Sequence, residues 1–390
     1  MQPVWAGHPW VFAQAIERVE GAPSAGDVVD VVDPEGRYLG RGYYSPSSAI
    51  PVRILTRDRT DPLDGASLGR RIERAAALRR RLRLPDTESS GLETTGYRLV
   101  HAEGDGLAGL IVDVFGAVAV VQLLTIGMKR REDDVFAHVA RVAGVRTVIE
   151  AASDRAAERE GFACTTRVVR GPDPGSIAFF ERGLGFEVES AITQKTGFYF
   201  DQRENRERVE QLAEGARVLD LYCFVGAFGL SAARGGAASV LSVDSSAPAV
   251  AMAARNAHRH GVAGRVQCER GDVRQVLRQL QARRERFDLV IADPPKLAPS
   301  IKHLDRARSA YRKLNAEAVK VVSTDGILVT CSCSAAMTTD DFVRTATLGA
   351  RDANADLTLL SLGSQGPDHP VPAAFPEGRY LKCAFFRVTR

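Results

Sequence analysis

The 390-residue sequence predicts an α/β fold. A mostly parallel, doubly wound sheet fills the C-terminal half, preceded by a small all-β module and a mixed α+β module. Three observations carry this reading. From Val218 onward, short apolar runs alternate with helix-length polar/apolar patterns, as βαβ crossovers with helices on both faces of a parallel sheet require. The first stretch of chain holds only short runs broken by turn residues. The final apolar run has no crossover helix before it, so it predicts a strand that runs backwards.

Along residues 1–65, Gly26–Asp33 (GDVVDVVD) alternates partly and Pro34-Glu35-Gly36 forms a turn. RYLGRGYYS and IPVRILTRD then read as further strands. Residues 66–185 form the mixed module. It opens on SLGRRIERAAALRRRLRLP, where Leu68, Ile72, Ala75 and Leu82 fall near helical spacing. Arg70, Arg71, Arg74, Arg79, Arg80, Arg81 and Arg83 crowd the remainder. An amphipathic helix with a basic face follows, either simply solvated or open to phosphates. Tyr97 to Thr125 contains strand-like runs broken by Gly104, Gly106, Gly109 and Gly116. A helical pattern spans Lys129–Val142 and a strand follows at Thr147–Ala151.

In residues 186–390 the expected parallel strands are Val218–Leu221, Val240–Asp244, Val266–Glu269, Asp288–Ala292 and Ile327–Cys331. Pro248–His260 and Arg306–Val322 are among the helices between them. After Leu357–Leu362 only a loop rich in Gly and Pro precedes Tyr380–Val388, the reversed strand of a seven-stranded sheet.

Composition narrows the class. Apolar residues at 45% and charged residues at 26% exclude a disordered or collagen-like chain. The longest apolar stretch, Ala117–Ile126, includes Gln122 and is about half the length that spans a bilayer. MQPVWAGHPW opens the chain without a basic n-region and apolar h-region, so a cytoplasmic location without a membrane partner is expected. The six cysteines form no CxxC pair, which predicts reduced thiols and no metal site. The net charge of +4 permits a nucleic-acid partner without requiring one.

Ligands of doubly wound sheets bind beyond the carboxyl ends of the strands. The first such end carries Asp220-Leu221-Tyr222-Cys223-Phe224-Val225-Gly226-Ala227-Phe228-Gly229. G-x-G-x-x-G is absent, which weakens a nicotinamide dinucleotide. The second strand ends in Asp244, 24 residues past Asp220, where a carboxylate accepts from ribose hydroxyls. Ser245 follows it. The third ends near Asp272 and Val273, placed to meet an adenine edge, and the fourth in Asp293-Pro294-Pro295-Lys296. Each aspartate taken singly also reads as a helix N-cap. Four consecutive strands ending in this way resemble the class I S-adenosylmethionine-dependent methyltransferases, whose reversed late strand also suits this chain.

One segment narrows the resemblance. QKTGFYFDQRENR at Gln194–Arg206 stands just before the sheet. With it go DPPK at Asp293–Lys296, SCS at Ser332–Ser334 and PEGRYLK at Pro376–Lys382. HPWVF at His8–Phe12, GRGYYSPSSAIPVRILTRD at Gly40–Asp58 and GDGLAGLIVD at Gly104–Asp113 extend the pattern over essentially the whole chain. The set resembles the 23S ribosomal RNA cytosine-C5 methyltransferase family. The resemblance implies an N-terminal RNA-binding PUA domain, a small middle domain and a Rossmann-like catalytic domain. It implies S-adenosyl-L-methionine as cofactor, ribosomal RNA as partner and a homodimer as the family-level state. It places Phe200, Asp201, Gln202 and Arg203 against the cofactor, alongside Asp220, Tyr222, Cys223, Phe224, Gly226, Asp244, Ser245, Asp272, Val273 and Asp293. A linker helix with solvated charges is the plainer reading of 201–206.

The chemistry that the resemblance implies needs a thiolate. Cytosine C5 is a poor nucleophile until a cysteine adds to C6 and makes the ring enamine-like. GILVTCSCS offers Cys331 and Cys333. The family's cysteine lies in a Ser/Thr-Cys-Ser pattern, which Cys333 fits, while Cys331 takes a packing role. Asp293 would face the base edge and hydrogen-bond N3. Lys296 would hold a phosphate or help lower the cysteine pKa. Asp368, His369 and Glu377 are the weak candidates for the base that removes the C5 proton. Two alternatives stay open: a guanine N2 or N7 methyltransferase on ribosomal RNA, and a non-catalytic RNA-binding assembly factor. A target base has to be unpaired or flipped out, so protein-free or partly assembled RNA is the expected substrate.

Overall fold

The computed structural model describes residues 3–189, 197–298 and 300–390, and the chain divides into two compact units. Gln194, Lys195 and Thr196, which open the QKTGFYFDQRENR motif, lie outside the described residues. The first unit comprises 1–183, 188–200 and 367–378; the second comprises 184–187, 201–366 and 379–390. Residues 1–65 and nearly all of 66–185 thus fall in one unit, though each keeps a sheet of its own.

In the first unit, β1 (Trp10–Val11), β2 (Val28–Val32), β3 (Tyr38–Tyr44) and β4 (Val52–Thr56) form an antiparallel sheet in the order β1-β4-β3-β2. Helix α1 (Gly65–Arg81) starts at Asp64, whose carboxylate accepts the Ser67 N–H at 2.8 Å. The second sheet contains β5 (Gly96–His101), β6 (Leu110–Phe115), β7 (Val118–Leu123), β8 (Thr147–Glu150) and β9 (Arg167–Arg170), in that order. Where one helix was expected at 129–142 there are two, α2 (Ile126–Lys129) and α3 (Glu132–Ala143). Thr125 caps the first, and the three acids at 132–134 begin the second. Helix α4 (Asp154–Glu160) and strands β10 (Ser176–Glu181) and β11 (Leu184–Glu189) complete this part of the chain.

The basic face of α1 is smaller than its sequence suggests. Arg71 is buried and pairs with Asp61 at 2.6 Å. Arg79 is fully buried. It grips Asp105 with two bonds of 2.5 and 2.9 Å and donates to the carbonyls of Arg98 and Asp368. Both lie on the stripe of Leu68, Ile72, Ala75 and Ala76 that packs into the core. A long arginine stem packs well in such a place once its guanidinium is matched bidentately. Arg70, Arg74, Arg80, Arg81 and Arg83 remain exposed.

The second unit opens with α5 (Arg203–Gln211). β12 (Arg217–Leu221), α6 (Ala227–Arg234), β13 (Ser239–Asp244), α7 (Ala247–Arg259), β14 (Val266–Arg270) and α8 (Val273–Ala282) follow. Then come β15 (Phe287–Ala292), α9 (Leu304–Val319), β16 (Val322–Ser332), α10 (Thr339–Asp352), β17 (Asp356–Gly363) and β18 (Lys382–Thr389). The seven-stranded sheet has the order β14-β13-β12-β15-β16-β18-β17. Strands β12 to β16 pair in parallel, and β18 is antiparallel to both of its neighbours. The doubly wound sheet with a reversed last strand is therefore the observed architecture. Its core packs strand residues such as Leu219, Val290 and Leu328 against Leu277, Tyr311, Leu314 and Phe342 of the helices. Among the described residues no helix is long and apolar enough to cross a membrane.

Removing Arg79 strands a buried carboxylate. Arg79→Ala is expected to cost about 3–5 kcal/mol, the usual result of breaking one side of a buried ion pair, and urea denaturation measures it.

Candidate cofactor and thiol site

Strand β12 pairs with β13 on one side and β15 on the other. The chain therefore leaves β12 and β15 in opposite directions, and their following loops part to open a crevice at the carboxyl ends. Leu221 and Ala292 are the last register pair, and the Asp293 N–H reaches the Leu221 carbonyl at 3.4 Å. The loop 221–229 and Asp293 share one rim for this reason.

Tyr222 (φ 64°), Phe224 (φ 50°) and Gly226 (φ 82°) all adopt left-handed backbone. Two bulky residues in that region are costly, so surrounding bonds must hold them. Phe224 N–H donates to Asp244 Oδ2 at 3.0 Å and Gly229 N–H to Asp220 Oδ2 at 2.9 Å. Cys223 N–H bonds the Val243 carbonyl at 3.0 Å, and Gly226 N–H the Cys223 carbonyl at 2.8 Å. A Cβ at Gly229 would stand 2.5 Å from Ser242 Oγ, so only glycine lets α6 approach β13 and Asp220 this closely. Asp220 and Asp244 thus clamp the loop from beneath. Burial pushes the Asp220 carboxyl up to about 7, against the Gly229 N–H and helped by the charges of Asp293 and Asp244.

The helix-cap reading holds for one aspartate. Asp272 is exposed and caps α8, accepting the Gln275 N–H at 3.0 Å, with Val273 buried behind it. Asp244 is half-buried and not a cap; Ser246 caps α7, and Asp244 Oδ1 accepts the Ser246 N–H at 2.9 Å. Ser245 is exposed beside it.

On the other side of the crevice, Gln202 Nε2 donates to Asp293 Oδ2 at 3.1 Å, while its Oε1 accepts from Asn205 at 2.6 Å. Asp201 Oδ2 accepts the Tyr380 hydroxyl at 2.6 Å, and its Oδ1 is enclosed with no hydrogen-bond partner among the described residues. Arg203 begins α5 and is buried. Burial lifts the Asp293 carboxyl to about 7, with Asp201 adding to the rise and Gln202 and Arg206 opposing it.

Cys331 and Cys333 meet different fates. Cys331 lies within the ladder opposite Cys383 of β18, is fully buried, and its Sγ stands 3.2 Å from the Cys383 Sγ. Burial, then Cys383, hold its thiol well above the ordinary range. Cys333 follows the last residue of β16 and is half-buried. Burial and the carboxylates of Asp293 and Asp201 raise its thiol to about 11. Lys296 pulls it down, the direction expected of that lysine, while burial and the two carboxylates outweigh it. The flanking serines fix the turn. Ser334 Oγ accepts the Ala298 N–H at 3.1 Å and stands 3.5 Å from the Tyr311 hydroxyl. Ser334 N–H donates to Ser332 Oγ at 3.3 Å, and the Ser334 carbonyl accepts from Lys382 at 2.6 Å.

Several expectations need correction. Phe200 is buried among Phe115, Phe179 and Phe198 of the first unit, with ring centroids 5.0–5.5 Å apart, so it packs in an aromatic core. The Cys223 thiol faces protein and its burial raises its pKa, as a packing residue's does. Asp368 and His369 are buried in the first unit. Asp368 accepts the Arg98 N–H at 3.0 Å and stands 3.0 Å from His369 Nδ1, and Glu377 approaches His8. Asp368 and His369 belong to a buried polar network of the first unit, and Glu377 is half-buried beside His8. Sequence reading missed Tyr311, Tyr380, Asn205 and Lys382. The PEGRYLK motif contains Tyr380 and Lys382, and QKTGFYFDQRENR contains Asn205.

The rim is rich in acceptors: Asp201 with an unpartnered buried oxygen, Asp244 with spare lone pairs, Asp220 and Asp293. Such a set fits a cationic ligand with hydroxyl groups. Residues 159–374 match the S-adenosylmethionine-dependent methyltransferase family and residues 2–57 the PUA-like domain family. This chain belongs to the S-adenosylmethionine-dependent methyltransferases. The methyltransferase is 39% identical over 384 residues to the ribosomal RNA large subunit methyltransferase I of Shewanella denitrificans, covering 98% of this chain and 95% of the relative. The Alteromonas mediterranea protein of the same name is 36% identical over 383 residues, with the same coverage. The solved structure of SMU.776 complexed with SAH superposes with a TM-score of 0.83, at 20% identity, over 98% of this chain and 96% of that one. That likeness establishes the fold.

Asp220 keeps its proton in the folded chain at pH values where the unfolded chain has lost it. Its contribution is therefore present at low pH and lost as pH rises from the ordinary carboxylate range through about 7. Asp220→Asn stays neutral throughout. Its stability, measured by urea denaturation across pH 4–8, is expected to fall less steeply with pH than that of the parent.

Proposed function

We propose that this methyltransferase modifies C5 of a cytosine in 23S ribosomal RNA through a covalent cysteine–C6 adduct, acting in the cytoplasm on unpaired or flipped-out bases. The observation that carries the reading is the Cys333 thiol, placed just past the end of β16 beside the carboxyl groups of Asp293 and Asp201. The relatives' name, ribosomal RNA large subunit methyltransferase I, supplies the substrate class. Asp244 and Ser245 would take the ribose of S-adenosyl-L-methionine and Asp272 and Val273 its adenine. Asp201, Gln202, Arg203 and the backbone of 222–226 would take the amino-acid end, with Asp220 holding the loop in shape.

Bound S-adenosyl-L-methionine supplies an electrophilic methyl group. The chain's own residues prepare the base. Cys333 loses its proton to solvent and adds to C6, which moves electron density onto C5; after methyl transfer a base takes the C5 proton, and the S–C6 bond breaks to return the thiolate. Asp293, whose proton is retained to about pH 7, can donate to N3 as charge develops there. Lys296, exposed beside them, offers a cation to a neighbouring phosphate.

Labelled methyl transfer to unmodified, protein-free 23S RNA, with the product nucleoside identified by mass, tests the reading. Labelled 5-methylcytidine is expected, and methylguanosine would overturn the assignment. Cys333→Ala is expected to lower transfer by at least about 10³-fold, as removal of a nucleophile does. Cys331→Ala should stay within a few-fold of the parent, because Cys331 faces Cys383 inside the sheet.

The exposed arginines of α1 and of the turn that follows it are the proposed phosphate contacts. None of Arg80, Arg81 and Arg83 makes an ion pair among the described residues. Replacing all three with alanine should lower the slope of log affinity against log salt by about 2. An unchanged slope would remove this face from RNA binding.

A further inference from the structure

Lys382 is a buried lysine that the proposed reaction leaves unused. It opens β18 directly opposite Ser332 in the antiparallel register with β16. Only 4% of it is exposed. Its ammonium donates to the Ser334 carbonyl at 2.6 Å and to the Tyr380 carbonyl at 2.8 Å. The first bond holds the residue after Cys333. The second holds the residue whose hydroxyl bonds Asp201. A lysine has three donors, and no third acceptor meets this one among the described residues. No carboxylate pairs with it either, which is unusual for a buried cation.

We infer that Lys382 is the positioning residue of the Cys333 thiol: it fixes the turn that carries the sulfur and stabilises the thiolate with the cation it holds behind that turn. The inference rests on the proposed role of Cys333 as nucleophile. Its physical need is plain. Cys333 faces carboxyl groups from two elements, Asp293 after β15 and Asp201 before α5, and both oppose a thiolate. Lys296, from the loop after β15, favours the thiolate but is exposed to solvent screening. Tyr311 of α9 also faces the thiol, and burial holds its hydroxyl neutral up to about 12. Lys382 is the screened-from-water cation of the group. Burial lowers its own pKa to about 8, while the charge of Cys333 pulls it upward and Lys296 pushes it down. A neutral Lys382 takes the thiol proton itself, and where Lys382 is already an ammonium the proton passes to solvent; each route leaves the thiolate beside the ammonium. The S–C6 bond then forms from that thiolate.

Alkylation of Cys333 by iodoacetamide in the full-length protein reads this directly, with the modified site assigned by mass. Neither RNA nor cofactor is needed, so the readout survives if the methyl-transfer reading fails. Lys382→Met should move the pH midpoint of alkylation upward by about one unit, a tenfold slower reaction at a fixed pH below it. Lys382→Arg should restore most of that rate. A Lys382→Met protein that folds and keeps the parental pH profile would overturn the inference. If Lys382→Met does not fold, the pair is read from the other side in Cys333→Ser, where the Lys382 ε-carbon NMR titration should shift to lower pH. An unshifted titration there would equally overturn it.

Discussion

Strand β18 runs antiparallel between β16 and β17, and the surroundings of Cys333 follow from that insertion. A parallel strand at this position would need a crossover helix and would present its opposite end to the crevice. Instead the chain returns through a loop and β18 begins at the crevice, opposite Ser332. Lys382 thereby reaches the Ser334 carbonyl, Cys383 covers Cys331, and Tyr380 meets Asp201. Gly363, at the far end of β17, leaves room for the Asn205 side chain, which any Cβ there would strike. One reversal of chain direction therefore joins three segments that are distant in sequence.

The same burial that shapes the site sets its protonation. Asp220 and Asp293 share the rim between β12 and β15, and neither ionises in its ordinary range because the crevice withholds water and each carboxylate repels the next. For Asp220 the consequence is structural, since its proton lowers the cost of burying a carboxyl group under a strained loop. For Asp293 it is chemical, since a retained proton can be donated. Cys333 meets the opposite problem: its surroundings favour the thiol, and the proposed reaction needs the thiolate. Cationic neighbours are the available remedy, and the fold brings two of them.

Burial also decides which charges remain at the surface. The arginine-rich helix α1 reads as one basic face in sequence, yet Arg71 and Arg79 turn inward to Asp61 and Asp105. Helical periodicity fixes which side chains share a face but not whether a carboxylate from a distant loop waits behind it. Asp105 follows β5 and is 26 residues from Arg79. No local pattern announces that pairing.

The sequence alone determined the alternation of strands and helices, the reversed final strand, the strand-end aspartates and the SCS motif, because each is written in local periodicity or in a short spacing. The preference for Cys333 over Cys331 came from the family resemblance, through the flanking serines. Tertiary structure decided the rest. It took Phe200 into an aromatic core, gave Asp272 to a helix cap, locked Asp368 and His369 in a buried network, and tied Lys382 to the carbonyl of Ser334. These outcomes depend on which distant groups are packed together and shielded from water. That shielding sets both the energy of a charge and the partner it must find.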